Sequence, residues 1–396
     1  MTQNPAASAP LHGIRVLELA RILAGPWIGQ TLADLGADVI KVEAPQGDDT
    51  RTWGPPFVEN ETGPDAAAYY HSCNRGKRSV TVDFRTADGQ AIVRELVRRA
   101  DVLVENFKVG GLEKYGLDYA SLKEINPRLV YCSITGFGQQ GPYAHRAGYD
   151  FIIQGMSGLM DVTGEPDGEP QKVGVAVADI VTGLYGTIGI LAALREREAS
   201  GQGQQVDMAL MDSVTAIQAN QAMNYLATGT APRRLGNAHP NIVPYQVFPS
   251  SDGHLIVAVG NDGQFKRFCE ALERPDLAAL PEFATNAARV RNRDTLIALL
   301  TPLTRAMTRD GLLEKLEAVG VPGGPINTVA DVFADPQVIH RGLKLELASG
   351  TAKGGTVPSV RNPIRFSRSP MTMDRASPGL GEHSDEILAE IGWPAR

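Results

Sequence analysis

The sequence predicts an α/β protein with a large doubly wound domain and a smaller α/β domain set in the middle of the chain. Three observations predict it. Short β-rich runs alternate with helical segments over residues 1–150, the pattern of a parallel sheet covered on both faces. A stretch rich in Pro, Gly and Asn, TAPRRLGNAHPNIVPYQVF, then opens a second unit. The last residues, 326–396, are too few to fold alone and are expected to return to the first domain. The expected boundaries are 1–200 for the first part of the large domain, 201–235 for a linker helix, 236–325 for the small domain and 326–396 for the returning segment.

The elements follow in order. IRVLEL (Ile14 to Leu19) is a first strand, and PWIGQTLADLG a helix with Pro26 in its first turn and Gly36 at its end. ADVIKVE (Ala37 to Glu43) is the next strand, stopped by Pro45. SVTVDF (Ser79 to Phe84) and DVLVENF (Asp101 to Phe107) flank a helix rich in Arg and Glu, and RLVYCSITGF (Arg128 to Phe137) is a further strand. Past Gly201 a short strand and one long helix are expected, then GHLIVAVG and a helical stretch from Gln264 to Val319.

Composition narrows the function classes. The chain has 396 residues, 43% hydrophobic and 21% charged, the balance of a globular protein with large cores. A net charge of −7 does not favour nucleic acid or an anionic membrane. No run of 18 apolar residues suggests a membrane span, and MTQNPAASAP reads as a short flexible tail rather than a secretory signal. The three cysteines, Cys73, Cys132 and Cys269, lie far apart without metal spacing, which points to a reduced, cytoplasmic compartment.

Several ligand classes fail on their motifs. Glu43 ends the second strand where a ribose-binding acid would sit, but only Gly25 and Gly29 stand in the preceding turn and helix, so no G-x-G-x-x-G admits a pyrophosphate. There is no P-loop and no G-x-S-x-G nucleophile elbow. The histidines, His239 and His340 among them, do not pair at metal spacings, so no metal site is expected. A basic set, Lys77, Arg78, Arg85, Lys108 and Lys114, falls near strand ends, where such folds bind phosphorylated ligands; each alone reads as a solvated surface charge.

One carboxylate stands apart. Asp179 in VADIVTGLYGTIGILAAL lies between an apolar run and a helix carrying Gly183, Gly186 and Gly189 on one side. Asp is a favoured helix N-cap, which is the simple reading. Against it, three glycines in a helix cost propensity, a cost that makes sense where a backbone or ligand approaches closely.

The motifs LHGIRVLEL with AGP, LADLGADVIKVE-x-P-x-GD, NRGKRSVTVDF, DVLVENF, GYDFIIQ-x-MSGLM, VADIVTG, ILAAL and LGEHSDEIL run in order from Leu11 to Leu388. Together they resemble the family III CoA-transferases, which include formyl-CoA transferase and carnitine CoA-transferase. The resemblance implies a Rossmann-like large domain built from both chain ends, a small middle domain and an interlocked homodimer. It implies a CoA thioester as substrate, with no prosthetic group, and Asp179 as nucleophile. The Asp179 carboxylate, taken as ionised at neutral pH, would attack the thioester to form a mixed anhydride, and returning CoA would give an aspartyl thioester that an acceptor acid attacks.

By the same resemblance, CoA contacts are expected at Ile22, Leu23 and Ala24, at Val82, Asp83, Phe84 and Arg85, at Asn106, Phe107 and Lys108, and at Lys114 and Tyr149. The acyl and acceptor pocket is expected at Gly25, Asp150, Gly236 and Asn237, with the Gly25 and Gly236 loops as alternative oxyanion donors. Three departures argue against formate and oxalate. Leu23 replaces a Gln of formyl-CoA transferase, Ala44 replaces an Arg, and GNAHPNIVPY stands in place of a long glycine-rich loop. A larger acid, first a small dicarboxylate with succinyl-CoA as donor, is the expected substrate pair. Two alternatives remain. An α-methylacyl-CoA racemase would use His in a GHD triplet, but here the triplet is Gly148-Tyr149-Asp150, and Tyr is a poor base at neutral pH. A non-catalytic CoA-binding protein would have no need of Asp179.

Overall fold

The computed structural model describes residues 8–61 and 63–394; the expected N-terminal tail lies, over residues 1–7, outside them. The chain divides into two compact units. One comprises the residues up to Ser157, Gly174–Ile217 and everything from Pro336 onward; the other comprises Gly158–Val173 and Gln218–Asp335. These limits differ from the expected ones. Residues 158–173 leave the first unit, and residues 205–217, expected in a linker, stay inside it.

The first unit is built on a parallel sheet. Its strands are β1 (Arg15–Glu18), β2 (Asp38–Glu43), β3 (Arg78–Thr81), β4 (Val102–Glu105), β5 (Val130–Thr135) and β6 (Gln205–Ala209). They lie in the spatial order β3-β2-β1-β4-β5-β6. The chain begins at the centre, winds to one edge, then returns and winds to the other. The order reverses between β1 and β4, and at such a switch point the loops leaving the two strands part and open a crevice at their carboxyl ends. The sixth strand is the short one expected past Gly201, which belongs to this sheet and not to a linker: Val206 pairs with Cys132 and Met208 with Ile134.

The central strands are buried on both faces, so β4 reads Val-Leu-Val-Glu with every residue buried. Helix α1 (Ala24–Asp34) covers one face with Ile28 and Leu32, and α2 (Ala87–Arg98) covers the other with Ile92, Val93, Leu96 and Val97. Helices α3 (Tyr119–Ile125) and α4 (Asp150–Met156) also belong to this unit, as do α5 (Val177–Ser200) and α6 (Leu210–Ile217) after the excursion through residues 158–173.

Helix α5 is long and apolar enough, by length and composition, to cross a bilayer, although Asp179, Thr182 and Thr187 interrupt its apolar residues. Its buried side chains pack inside the unit, and its glycines explain the packing. A Cβ on Gly183 would lie 2.9 Å from the Ala24 carbonyl oxygen and 3.1 Å from Trp27 Cβ, and one on Gly186 would lie 2.6 Å from Ile28 Cδ1. The close approach is therefore to α1, not to a ligand.

The returning segment adds the hairpin β10 (Lys344–Ala348) and β11 (Thr356–Val360) and the last helix, α11 (Ser384–Glu390). Ile387 and Leu388 enter the same core as Val80 and Leu96. Burying each contributes roughly 1.5–3 kcal/mol. Arg78 on β3 anchors α11, donating to Glu386 at 2.8 Å and Glu390 at 2.6 Å while also holding Asp38.

The second unit begins its longer part with α7 (Ala219–Thr228). The single long helix expected past Gly201 is two, parted at Gln218, and the second opens on Ala219 at a left-handed φ of 43° that breaks the helical path. The antiparallel sheet β7 (Tyr245–Pro249), β8 (His254–Ala258) and β9 (Gly323–Pro325) follows, covered by α8 (Asp262–Ala271), α9 (Arg293–Arg305) and α10 (Arg309–Ala318) around Phe248, Phe265, Phe268, Leu300 and Leu316.

Candidate active site

At the switch point, Asn106 after β4 reaches across to the turn after β1. Its Oδ1 accepts from the Arg21 N–H at 2.9 Å, and its Nδ2 donates to the Arg21 carbonyl at 2.6 Å. The two loops that bound the crevice are thus tied by one side chain. The turn continues through Ile22, in the left-handed region at φ 72°, to Leu23 and the start of α1.

The crevice is a cleft of about 590 Å3. It brings together Ile22, Leu23 and Ala24 after β1; Val82, Asp83, Phe84 and Arg85 after β3; Asn106, Phe107, Lys108 and Lys114 after β4; and Tyr149, Asp150 and Asp179. Phe84 meets Phe107 and Tyr115 edge-on at 5.7 and 5.4 Å, forming an aromatic wall, and Lys114 Nζ lies 4.8 Å from the Tyr115 ring centre. Leu23 and Ala44, the positions where Gln and Arg were expected from formyl-CoA transferase, both line it with apolar surface.

Other expected residues fall elsewhere. Gly25 is turned inward in α1, where a Cβ would lie 2.2 Å from Ala20 Cβ; it is a packing position. Gly236 and Asn237 belong to the second unit, where Gly236 sits in the left-handed region beside Glu165. Two members of the basic set are internal. Lys77 is fully buried against Glu18 at 2.8 Å, and Arg78 is the anchor of α11. Arg85 is taken by Asp83, which leaves Lys108 and Lys114 as the members of that set without an ion pair among the described residues. Glu43 is buried and doubly bonded to Arg51 at 2.8 Å, so it is in no position to take a ribose. Among the described residues, no group of His, Cys, Asp and Glu is placed to hold a metal ion.

Asp179 is not the cap of its helix. α5 starts at Val177 after Ala176, and Asp179 sits in its first turn. The cap comes from Asp150, whose Oδ1 accepts from the Ala178 N–H at 2.7 Å and from the Asp179 N–H at 3.4 Å. Gln154 Nε2 donates to the other oxygen of Asp150 at 2.7 Å and fixes it. The Asp179 carboxylate makes no hydrogen bond or ion pair with any described residue and is half-buried where it opens on the cleft.

Burial first, and the neighbouring Asp150 charge second, push the Asp179 carboxyl up to about 7. The expectation of a fully ionised carboxylate at neutral pH is corrected accordingly: in this structure the group is divided between its two forms there. Such a carboxylate, partly desolvated and unbonded, is more basic and more nucleophilic than one in water.

Sequence reasoning missed three contributors. Arg146 lines the cleft, stacks on the Tyr143 ring at 4.0 Å and makes no ion pair with any described residue. Its loop is stapled down by Gly136 and Gly148, where a Cβ on either would come within 2.5 Å of the other's Cα. Tyr69 is close enough to Asp179 that, after burial, this charge is the next cause pushing its phenol up to about 12. Asp48 holds the Ile22 turn. The paired glycines were visible in sequence, but nothing there said that they touch.

The model of the CoA-transferase family III matches residues 11–384 of this chain. The succinate–glutarate CoA-transferase of Agrobacterium fabrum is 57% identical, over 99% of this chain and 98% of that protein. The succinyl-CoA:glutarate CoA-transferase of Homo sapiens is 43% identical, over 96% of this chain and 86% of that one. A solved CAIB/BAIF family protein from Brucella suis is 61% identical and superposes with a TM-score of 0.86, covering 97% of this chain and 100% of its own.

Proposed function

The chain belongs to the family III CoA-transferases, and we propose that it carries CoA from succinyl-CoA to a small dicarboxylic acid such as glutarate, through covalent intermediates on Asp179. The observation that carries the mechanism is the division of labour at the start of α5. Asp150 caps the helix, so the Asp179 carboxylate keeps both oxygens for the cleft.

The chemistry proceeds in balanced steps. An Asp179 oxygen attacks the thioester carbonyl, the C–S bond breaks and CoA leaves as thiolate, which gives a mixed anhydride of Asp179 and the donor acid. The thiolate attacks the aspartyl carbonyl of that anhydride, releasing the donor acid and leaving an aspartyl-CoA thioester. The acceptor carboxylate displaces the thiolate, and the thiolate then takes the acceptor acyl group, restoring Asp179. Positioning carries much of this, since well-oriented reactants can recover roughly 7–11 kcal/mol.

The cleft supports the substrate assignment. The Phe84–Phe107–Tyr115 wall offers faces and edges to a purine, with Lys108 and Lys114 beside it for phosphate. Arg146 offers an unpaired guanidinium for a second carboxylate, and the apolar Leu23 suits a methylene chain better than formate. The named relatives that act on succinate and glutarate point the same way. The exposed apolar residues Phe151, Ile152 and Met156 on α4 and Leu184, Tyr185 and Ile188 on α5 support a second copy of the chain as partner. The three free, buried cysteines suit a reduced compartment such as the cytoplasm.

A transfer assay with succinyl-CoA against glutarate, other dicarboxylates, oxalate and formate, read by mass spectrometry of the CoA products, tests the reading. Glutaryl-CoA should dominate. Transfer only to formate or oxalate would overturn the substrate assignment. Deuterium entering the α-carbon of a 2-methylacyl-CoA without transfer would favour racemase chemistry.

A further inference from the structure

Ile22 is β-branched and sits at φ 72° in the cleft wall. That conformation crowds Cβ against the backbone and is a true outlier for such a residue. It persists only where the surroundings impose it. Here a buried carboxylate holds the Ile22 N–H, while the Cys73 thiol makes a longer contact, 3.6 Å, to the Ile22 carbonyl. Asp48 presents both oxygens to the Ile22 N–H, each at 3.3 Å. Asp48 is itself buried and fixed: Thr50 donates to Oδ1 from its N–H at 3.0 Å and its hydroxyl at 2.8 Å, and Lys41 Nζ lies 2.9 Å from Oδ2. Lys41 is held in turn by Glu18 at 3.0 Å and by the Ala20 carbonyl at 3.0 Å. On the other side of the turn, Asn106 clamps Arg21. Leu23 and Ala24 follow directly and line the cleft beside Asp179.

We propose that Asp48 is a positioning residue for CoA transfer: its buried carboxylate holds Ile22 in the left-handed conformation and thereby sets the turn Ile22–Ala24 against the thioester. This rests on the reading that the cleft holds the acyl-CoA. Asp48 touches neither substrate nor Asp179; it acts through the backbone of Ile22. A left-handed conformation is disfavoured by roughly tenfold for a chiral residue and is nearly free for glycine. The clamp therefore matters only while position 22 resists the conformation. An Asn at position 48 keeps the shape but cannot accept from Ile22, Thr50 and Lys41 together, because its amide nitrogen only donates.

The test is a double-mutant cycle on the full chain: wild type, Asp48→Asn, Ile22→Gly and both together. Measured are kcat, KM for succinyl-CoA and thermal melting. Asp48→Asn should lower kcat roughly tenfold, the size expected from weakening a charge-assisted hydrogen bond. In the Ile22→Gly background the same replacement should change kcat less than about twofold, because glycine does not oppose the turn. A residue that only partners Lys41 would cost the same factor in both backgrounds, and that result overturns the proposal. So does an Asp48→Asn protein with unchanged kcat, or one that fails to fold in either background, since the carboxylate would then be a requirement of the fold. A wild type without transfer activity would instead sink the functional reading on which the proposal stands.

Discussion

Beneath α1, Glu18 and Asp48 are buried against Lys41 and Lys77; at the start of α5, Asp150 and Asp179 are drawn together with no lysine or arginine ion-paired to either among the described residues. Both places take carboxylates out of water. In the first, burial alone would raise Asp48, but Lys41 and the Thr50 donors outweigh it and hold the carboxyl below its usual range. Lys41 responds in kind: burial would lower it, but Glu18 and Asp48 carry it up. In the second, burial and a like charge act in the same direction and Asp179 rises to about 7. Desolvation with a counter-charge makes structure; desolvation without one makes a reagent.

The comparison can be broken at its reactive end first. Asp179→Asn should cut transfer at least roughly 10³-fold, as loss of a nucleophile does elsewhere, measured as initial rates with succinyl-CoA. The fold should not suffer. A carboxyl whose folded pKa lies above its unfolded value favours folding while protonated, an advantage fully present below the unfolded value of 3.8 and lost as pH rises through about 7. At pH 8 Asn removes that liability, so the variant should melt no lower than wild type in a thermal scan. Marked destabilisation together with the lost activity would return Asp179 to a structural role.

The structural end should answer differently. Lys41→Met removes one partner of a buried pair and leaves Asp48 and Glu18 short of charge. Breaking such a pair costs about 3–5 kcal/mol, to be read from the urea midpoint at constant m-value. A loss below 1 kcal/mol would mean that water reaches the network.

Smaller effects sharpen the boundary between the two. Gly183→Ala places a methyl 2.9 Å from the Ala24 carbonyl and should cost about 1–3 kcal/mol through overpacking. KM for the acyl-CoA should rise as well, because Ala24 lines the cleft. Unchanged stability and KM would show that α1 and α5 have slack at their crossing.

The smallest effect is a shift of the pH profile. Rate should rise with pH through about 7 as Asp179 ionises. Asp150→Asn keeps an oxygen for the cap and removes the like charge, so the midpoint should move down. It should not reach the usual carboxylate range, because burial is the larger cause. A midpoint that stays in place would remove Asp150 from the account of Asp179.

Much of this frame was legible in the sequence, and the limits of legibility have physical reasons. The five strands from Ile14 to Phe137 declared themselves by β-branched runs between turn signals, and each formed within a few residues of its expected span. β6 was also read, as a short strand past Gly201, but it was placed with the linker because no local pattern says that it pairs with β5 at the sheet edge. Asp179 stood out through its glycine-rich helix, yet its capping partner lies 29 residues upstream, a pairing no local pattern reveals. Lys77 and Arg78 looked like ligand donors because their spacing was right. Their carboxylate partners, Glu18 at 59 residues and Glu390 at 312, exist only in the fold.

The most direct test asks whether Asp179 becomes covalently modified. Wild-type protein is incubated with succinyl-CoA, quenched with hydroxylamine, digested and examined by peptide mass spectrometry. An aspartyl anhydride or thioester yields a hydroxamate, so the peptide carrying Asp179 should gain that modification, dependent on succinyl-CoA and absent from Asp179→Asn. Full transfer activity with an unmodified Asp179 peptide, or the hydroxamate on another carboxylate, would contradict the account.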